Sequence, residues 1–304
     1  MHILISSETP IDKSGYGIQT LNMIKMFSKM GHTITVIGWN LIGFDIKKYT
    51  FGEIVLLQNF DIAGNFTLEE LSLMKQIRYY PALNKRFPGL FDPKKKFEQI
   101  IRQDKIDVVV FHQDIFMLQL KQKLSVPTIC CLPIHYDPID YLTQKVLKFI
   151  DVNVGLCDFG VEKMKEISDN YCIKIPLSIN TDIMKYTGKT HNSDYNLPEN
   201  KFICLIVSDN YCISNRKAFD LQILAFKKLH EKYPDSYLYL HTQQKGGVNL
   251  LDYLKELPEN SYGFVEQDKH KQAGFSIHDM SNIYRSCNVL LNASKAEGFG
   301  LPII

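Results

Sequence analysis

A carboxylate in a glycine-rich segment is the first group in this chain with chemistry to offer. Glu297 lies in AEGFGLP, residues 296–302, directly after the apolar run NVLLNAS. Gly298 and Gly300 free the backbone to come close to a ligand. The Glu297 side chain can accept hydrogen bonds from sugar hydroxyls. Arg216 and Lys217, in SNRKAFD (214–220), stand just before an amphipathic helical segment. Cations are poorly placed at a helix N-terminus on dipole grounds. The placement becomes sensible when an anion such as a diphosphate sits on the same helix end. His135 and Asp137, in PIHYDP (133–138), follow an apolar strand and point toward a cleft. Gly15 and Gly17, in SGYGIQT, follow the first strand and would let backbone N–H groups approach an anion at a helix start.

Each group has a plainer reading beside it. Gly15 and Gly17 also suit a flexible turn, and Thr20 stands where a dinucleotide fingerprint has its third glycine. The second strand runs out in GWN, so the acid that grips a nicotinamide ribose is absent there. Asp137 also suits a turn or the cap of a following helix. The His135–Asp137 spacing matches no zinc pattern. Arg216 and Lys217 also read as a solvated basic pair, and Glu297 as an ordinary loop residue.

The elements that must position these groups repeat as strand, loop, helix. HILIS is a first strand; Met23, Met26, Phe27 and Met30 fall at helical spacing; Gly31 sits where a helix C-terminal glycine belongs. TITVIG, EIVLL (53–57), IDVVVF, VPTICCL and VNVGL read as further buried strands. The polar segment 174–201 holds a linker, after which the pattern restarts with FICLIVS. Residues 217–233 form an amphipathic helix stopped by Pro234, and SYLYLHT, YGFVE and NVLLNAS are strands. Ser276 with Asp279 spells a capping box. The expected fold is α/β, with two Rossmann-like domains at 1–180 and 181–304, the second incomplete.

Length and composition agree. The 304 residues suit two domains, and a 45% hydrophobic fraction suffices for packed cores. Thirty-five basic against 33 acidic residues give a formal charge of +2, which argues against a nucleic-acid partner. Seven cysteines, with no C-x-x-C pair, suggest reduced thiols and a cytoplasmic location. No apolar run approaches the roughly 18 residues of a membrane span. Peripheral membrane contact stays open.

The motifs, in order, resemble the group 1, family-four glycosyltransferases of GT-B fold. SGYGIQT is similar to their N-terminal glycine loop, and VNVGLCDFGVEKM to a serine-glutamate-phenylalanine-glycine segment, with Cys157 and Asp158 in place of Ser and Glu. IPLSINTDIM and NRKAFDLQILAF resemble their interdomain and donor-helix segments, and IYRSCNVLLNASKAEGFGLP is the most specific match. The resemblance implies a nucleotide sugar as donor, no cofactor, no bound metal and retention of anomeric configuration. It implies that Lys217 and a nearby arginine neutralise the diphosphate. It places Glu297 on the donor sugar, with the backbone of Phe299, Gly300 and Leu301 beside sugar and phosphate, and His135 near the reacting carbon. The acceptor would be a glycan, protein or lipid hydroxyl.

The chain also departs from that pattern. Ser178 and Asn180 replace Gly and Asp, and Ala218 replaces the glycine after the lysine. The family's arginine precedes its lysine by several residues, where this chain has DNYCIS; Arg216 is the candidate substitute. A second glutamate, which holds the ribose in the family, would fall at position 305. That leads to the expectation of a fragment, a chain pairing with another copy or subunit, or a catalytically impaired binding protein of the same fold.

Overall fold

The computed structural model describes residues 1–12, 14–42, 48–58, 66–83, 93–118, 120–188, 195–211, 214–272 and 274–304. The chain divides into two compact units, Met1–Ser178 and Ile179–Ile304.

Among its described residues the first unit carries seven strands: β1 (His2–Ser7), β2 (Thr33–Ile42), β3 (Arg78–Leu83), β4 (Val108–His112), β5 (Thr128–Leu132), β6 (Val152–Gly155) and β7 (Tyr171–Lys174). They form one parallel sheet in the order β3-β2-β1-β4-β5-β6-β7. Among the described residues six helices lie between them: α1 (Gly15–Lys29), α2 (Phe51–Gln58), α3 (Leu68–Gln76), α4 (Pro93–Asp104), α5 (Tyr141–Leu147) and α6 (Asp158–Lys165). Successive strand residues face opposite sides. Leu4, Val109 and Phe111 therefore join one core with Phe97, Ile100, Val146 and Met164 of α4–α6. Ile3, Ile5 and Val110 join the other with Ile24, Ile54 and Met74 of α1–α3. Burial on both faces is what the β-branched runs require.

The second unit repeats the plan with β8 (Phe202–Val207), β9 (Ser236–His241), β10 (Tyr262–Phe264) and β11 (Val289–Leu290), all parallel, in the order β10-β9-β8-β11. Its helices are α7 (Phe219–Lys232), α8 (Leu250–Leu254), α9 (Gln267–Gln272) and α10 (Ile277–Ser286). Cys204, Ile206 and Leu240 pack on Phe219, Ile223 and Phe226 of α7. Ile203, Leu205 and Tyr239 pack on Ile283 of α10. In each sheet the chain reverses its direction of travel once, between β1 and β4 and between β8 and β11. Open α/β sheets hold their ligands beyond the carboxyl ends of such strand pairs.

Local signals explain most boundaries. Gly31 follows α1 at φ +80°, the left-handed conformation that glycine adopts most readily. Ser276 and Asp279 cap α10 reciprocally. EIVLL is helical, against expectation: it lies within α2. A short apolar run does not separate strand from helix. Here Thr50 and Glu53 exchange backbone and side-chain hydrogen bonds at the helix start. Phe51 and Ile54, three residues apart, are both buried on one side of α2. β3 and β7 were not foreseen; both lie at sheet edges, where Pro81 of β3 is tolerated.

Phe226 is 0% exposed and Phe202 is 46% exposed. Phe226→Ala is expected to lower the stability of the second unit by about 3–5 kcal/mol, and Phe202→Ala by less than about 1 kcal/mol, measured by urea unfolding.

Candidate functional site

The reversal point of the second unit brings Arg216, Lys217 and Glu297 together. The segment holding Arg216 and Lys217 follows β8, and the segment holding Glu297 follows β11, its neighbour in the sheet. Two left-handed residues, Asn215 (φ +48°) and Ala218 (φ +50°), bracket the two cations. Asn215 makes this turn hold. Its Oδ1 accepts from the Phe219 N–H at 3.0 Å, its Nδ2 donates to Asp220 Oδ1 at 2.6 Å, and its carbonyl accepts from the Ala218 N–H at 2.8 Å. Gln222 Nε2 donates to the Lys217 carbonyl at 2.7 Å.

Two further bonds tie this turn to the glycine-rich loop. The Lys295 N–H donates to the Arg216 carbonyl at 2.9 Å, and the Arg216 guanidinium donates to the Ala296 carbonyl. Lys217 Nζ then meets Glu297 Oε1 at 2.5 Å, and Arg216 Nη1 lies 3.6 Å from Glu297 Oε2. The three side chains are 12%, 26% and 23% exposed for Lys217, Arg216 and Glu297. Burial works to raise the Glu297 carboxyl, but the Lys217 hydrogen bond and the two nearby cations outweigh it and hold the group below its ordinary value. Beyond it, Gly300 takes φ +83° and opens one 3-10 turn, Leu301–Ile303, whose Pro302 carbonyl accepts from the Tyr284 hydroxyl at 3.0 Å. Gly298 is buried and Phe299 and Leu301 are half-buried.

The segment DNYCIS, where the resembled family has its arginine, supplies no cation here. Asn210 within it is buried and staples two loops, through its Nδ2 to the Gln243 carbonyl at 3.0 Å and the Val248 carbonyl at 2.9 Å. Arg216 is the arginine that reaches Glu297. Asn215 and Gln222 were missed from the sequence. The signal was an asparagine, the non-glycine residue most at ease in the left-handed region, just before two cations and a helix.

The first unit's candidates are arranged differently. His135 and Asp137 both follow β5 but have separate partners. His135 Nδ1 lies 2.9 Å from the Pro133 carbonyl, and its ring packs on Tyr136 at 4.2 Å. Asp137 is exposed and pairs with Lys163 of α6 at 2.9 Å; the residue that caps α5 is Asp140. Gly15 begins α1, and the Gly17 N–H donates to Ser14 Oγ at 3.0 Å. The Ser14 hydroxyl donates to Glu8, and its N–H to Asp12 at 2.9 Å. The helix end thus carries two of the chain's own carboxylates. A Cβ on Gly17 would lie 2.2 Å from the Asp12 carbonyl oxygen, so close packing alone requires glycine there.

No family model matches the chain, and no curated protein matches it. Solved structures do. A glycosyltransferase from Rickettsia africae is similar to it at 18% identity and a TM-score of 0.60, over 96% of this chain and 73% of that one. The pneumococcal O-GlcNAc transferase GtfA, solved with UDP and GlcNAc, is similar at 12% identity and a TM-score of 0.60, over 100% of this chain and 81% of that one. An α,α-trehalose 6-phosphate synthase from Burkholderia multivorans matches at 11% identity and 0.60, over 98% and 77%. The chain has the GT-B glycosyltransferase fold. Among the described residues no helix is long and apolar enough to cross a membrane.

Two outcomes check this geometry. Left-handed alanine costs about 1–2 kcal/mol, while its fully buried methyl returns about 0.8 kcal/mol. Ala218→Gly is therefore expected within about 1 kcal/mol of the parent, and Ala218→Val, β-branched in the same conformation, to cost more than about 2 kcal/mol, measured by thermal unfolding. Burial also pulls His112, at the end of β4, down to about 4, and His241, at the end of β9, down to about 3. An unfolded histidine takes up its proton near pH 6.5, so between there and about pH 4 the unfolded chain holds more protons. Stability is expected to fall as pH drops through that window, by up to about 1.4 kcal/mol per pH unit for each histidine, measured as Tm from pH 7.5 to 4.5.

Proposed function

We propose that the protein is a retaining glycosyltransferase that moves a hexose from a nucleotide diphosphate sugar, GDP- or UDP-linked, to an acceptor hydroxyl of a glycan, protein or lipid. The observation that carries the reading is the meeting of Arg216, Lys217 and Glu297 beyond adjacent parallel strands. Departure of a nucleoside diphosphate builds negative charge on its phosphates. Fixed cations and N–H dipoles in a partly dry site lower the cost of that charge. Arg216, Lys217 and the first turn of α7 supply both, taking the charge that a metal would otherwise neutralise. A carboxylate beside them suits the hydroxyls of the attached sugar. The pneumococcal transferase, solved with UDP and GlcNAc, supports the same ligand class on this fold. His135, after β5 of the first unit, is proposed as a further catalytic residue.

The test is incubation of the full chain with GDP- and UDP-hexoses, following nucleoside diphosphate release and calorimetric binding. Binding of at least one donor is expected, and Lys217→Ala is expected to lower turnover by about 10²–10³-fold with the fold intact. Failure to bind any of these donors would overturn the reading.

A further inference from the structure

We propose that the carboxyl ends of β1 and β4 in the first unit hold an uncharged polyhydroxyl acceptor, a sugar or sugar alcohol, gripped by Gln113 and Asp114. The inference rests on the transferase reading above and adds the chemistry of the acceptor to it.

These two strands flank the reversal point of the first sheet, where an open α/β sheet leaves a crevice. The residues there are polar although they are buried. Ser6 and Ser7 end β1 and are 0% exposed; Gln113, just after β4, is 4% exposed. Most of their groups are paired. Trp39 Nε1 donates to Ser6 Oγ at 2.9 Å, and the Ser6 hydroxyl donates to Gln113 Oε1 at 3.3 Å. The Ser7 hydroxyl donates to the His112 carbonyl at 2.8 Å. The exception is Gln113 Nε2, which is enclosed and has no hydrogen-bond partner among the described residues. A buried amide donor left unpaired is destabilising, and a ligand hydroxyl that accepts from it removes the penalty.

Asp114, the next residue, supplies the complementary group. It is half-buried, and its Oδ1 accepts from the Tyr16 hydroxyl of α1 at 3.1 Å. Burial, with the carboxylates of Asp114 and Glu8, pushes the Tyr16 phenol up and keeps it a donor. A carboxylate has about four lone-pair positions, so Asp114 can accept from ligand hydroxyls as well as from Tyr16. An amide that donates beside a carboxylate that accepts suits hydroxyls, each of which does both. Charge sets the class of ligand. His112 meets the Tyr16 ring edge-on at 5.2 Å, and burial pulls it down to about 4, so it is neutral near pH 7. A phosphorylated or carboxylated ligand would meet the Asp114 charge with no positive charge on His112 to offset it.

Trp39 is the chain's one tryptophan, and two hydrogen bonds through Ser6 connect its indole to the Gln113 amide, so its emission reports on this site. The full chain is titrated with glucose, galactose and mannose and with the 6-phosphate of each, with and without UDP or GDP, and saturation-transfer NMR follows the same ligands. A saturable change with at least one neutral sugar is expected, its phosphate binding at least about tenfold more weakly. Gln113→Leu is expected to weaken the neutral sugar by about five- to tenfold, and Asp114→Asn to narrow the gap between sugar and sugar phosphate by at least about threefold. Absence of neutral-sugar binding by both methods overturns the proposal and leaves the transferase reading standing, because the donor test reads nucleotide sugars. A sugar phosphate that binds as tightly as its neutral sugar overturns the uncharged class, and unaltered binding by Gln113→Leu overturns the site. Where Gln113→Leu does not fold by circular dichroism, Asp114→Asn decides: a narrowed gap supports the proposal and an unchanged one overturns it.

Discussion

The ion pair between Lys217 and Glu297 is the contact on which the candidate site depends. It joins the loop after β11 to the start of α7, and so makes one surface from two segments 80 residues apart. Neither partner could be held this way on a free loop. Lys217 is fixed because Asn215 and Ala218 turn the backbone left-handed on either side of it. Glu297 is fixed because its loop is bonded to Arg216 behind it and to Tyr284 ahead of it. The strain of a left-handed alanine is the kind of local cost found where a surrounding structure over-determines a conformation. Here the surroundings are the Asn215 cap and the buried face of α7.

The N-termini of α1 and α7 differ in the charges that surround them. At α1 the Ser14 hydroxyl takes the Gly17 N–H, and the carboxylates of Glu8 and Asp12 accept from Ser14 itself. At α7 the Phe219 N–H is taken by Asn215 Oδ1, Asp220 stands in the first turn, and two cations with their Glu297 partner stand in front of it. An anion would meet two carboxylates beside the first and two cations, shared with Glu297, beside the second. The contrast is why the functional reading rests on the second unit and gives Gly17 a packing role.

Much of the fold was legible because its signals are local. The near-continuous apolar runs HILIS and FICLIVS mark strands buried on both faces, and Gly31, Ser276 and Asp279 mark helix ends that the structure keeps. EIVLL shows the limit. Its composition suits a strand, and the capping exchange between Thr50 and Glu53 decides for a helix. The residues alone made the site legible as types, and the resemblance supplied its grouping. No spacing rule places position 217 beside 297; only the family resemblance put Glu297 and the two cations on one donor, and it did not give the direct ion pair between them. The same gap hid the fate of Asp137, whose partner Lys163 lies on another element. Asn215 was overlooked because its contribution is backbone geometry, which only the φ angle reveals.

The parallel pairing of β8 with β11 also bears on when the site comes into being. Cys204 sits opposite Val289, while β8 and β9 pair across a much shorter stretch, Phe202 with Ser236. Closing a long loop costs entropy before any contact rewards it, so pairings distant along the chain tend to form late. Lys217 can be seated on its helix early, with β8, α7 and β9 as neighbours in sequence. Its carboxylate partner arrives only with the strand that completes the order. Until then the second unit is a half-built sheet with two cations waiting at its rim.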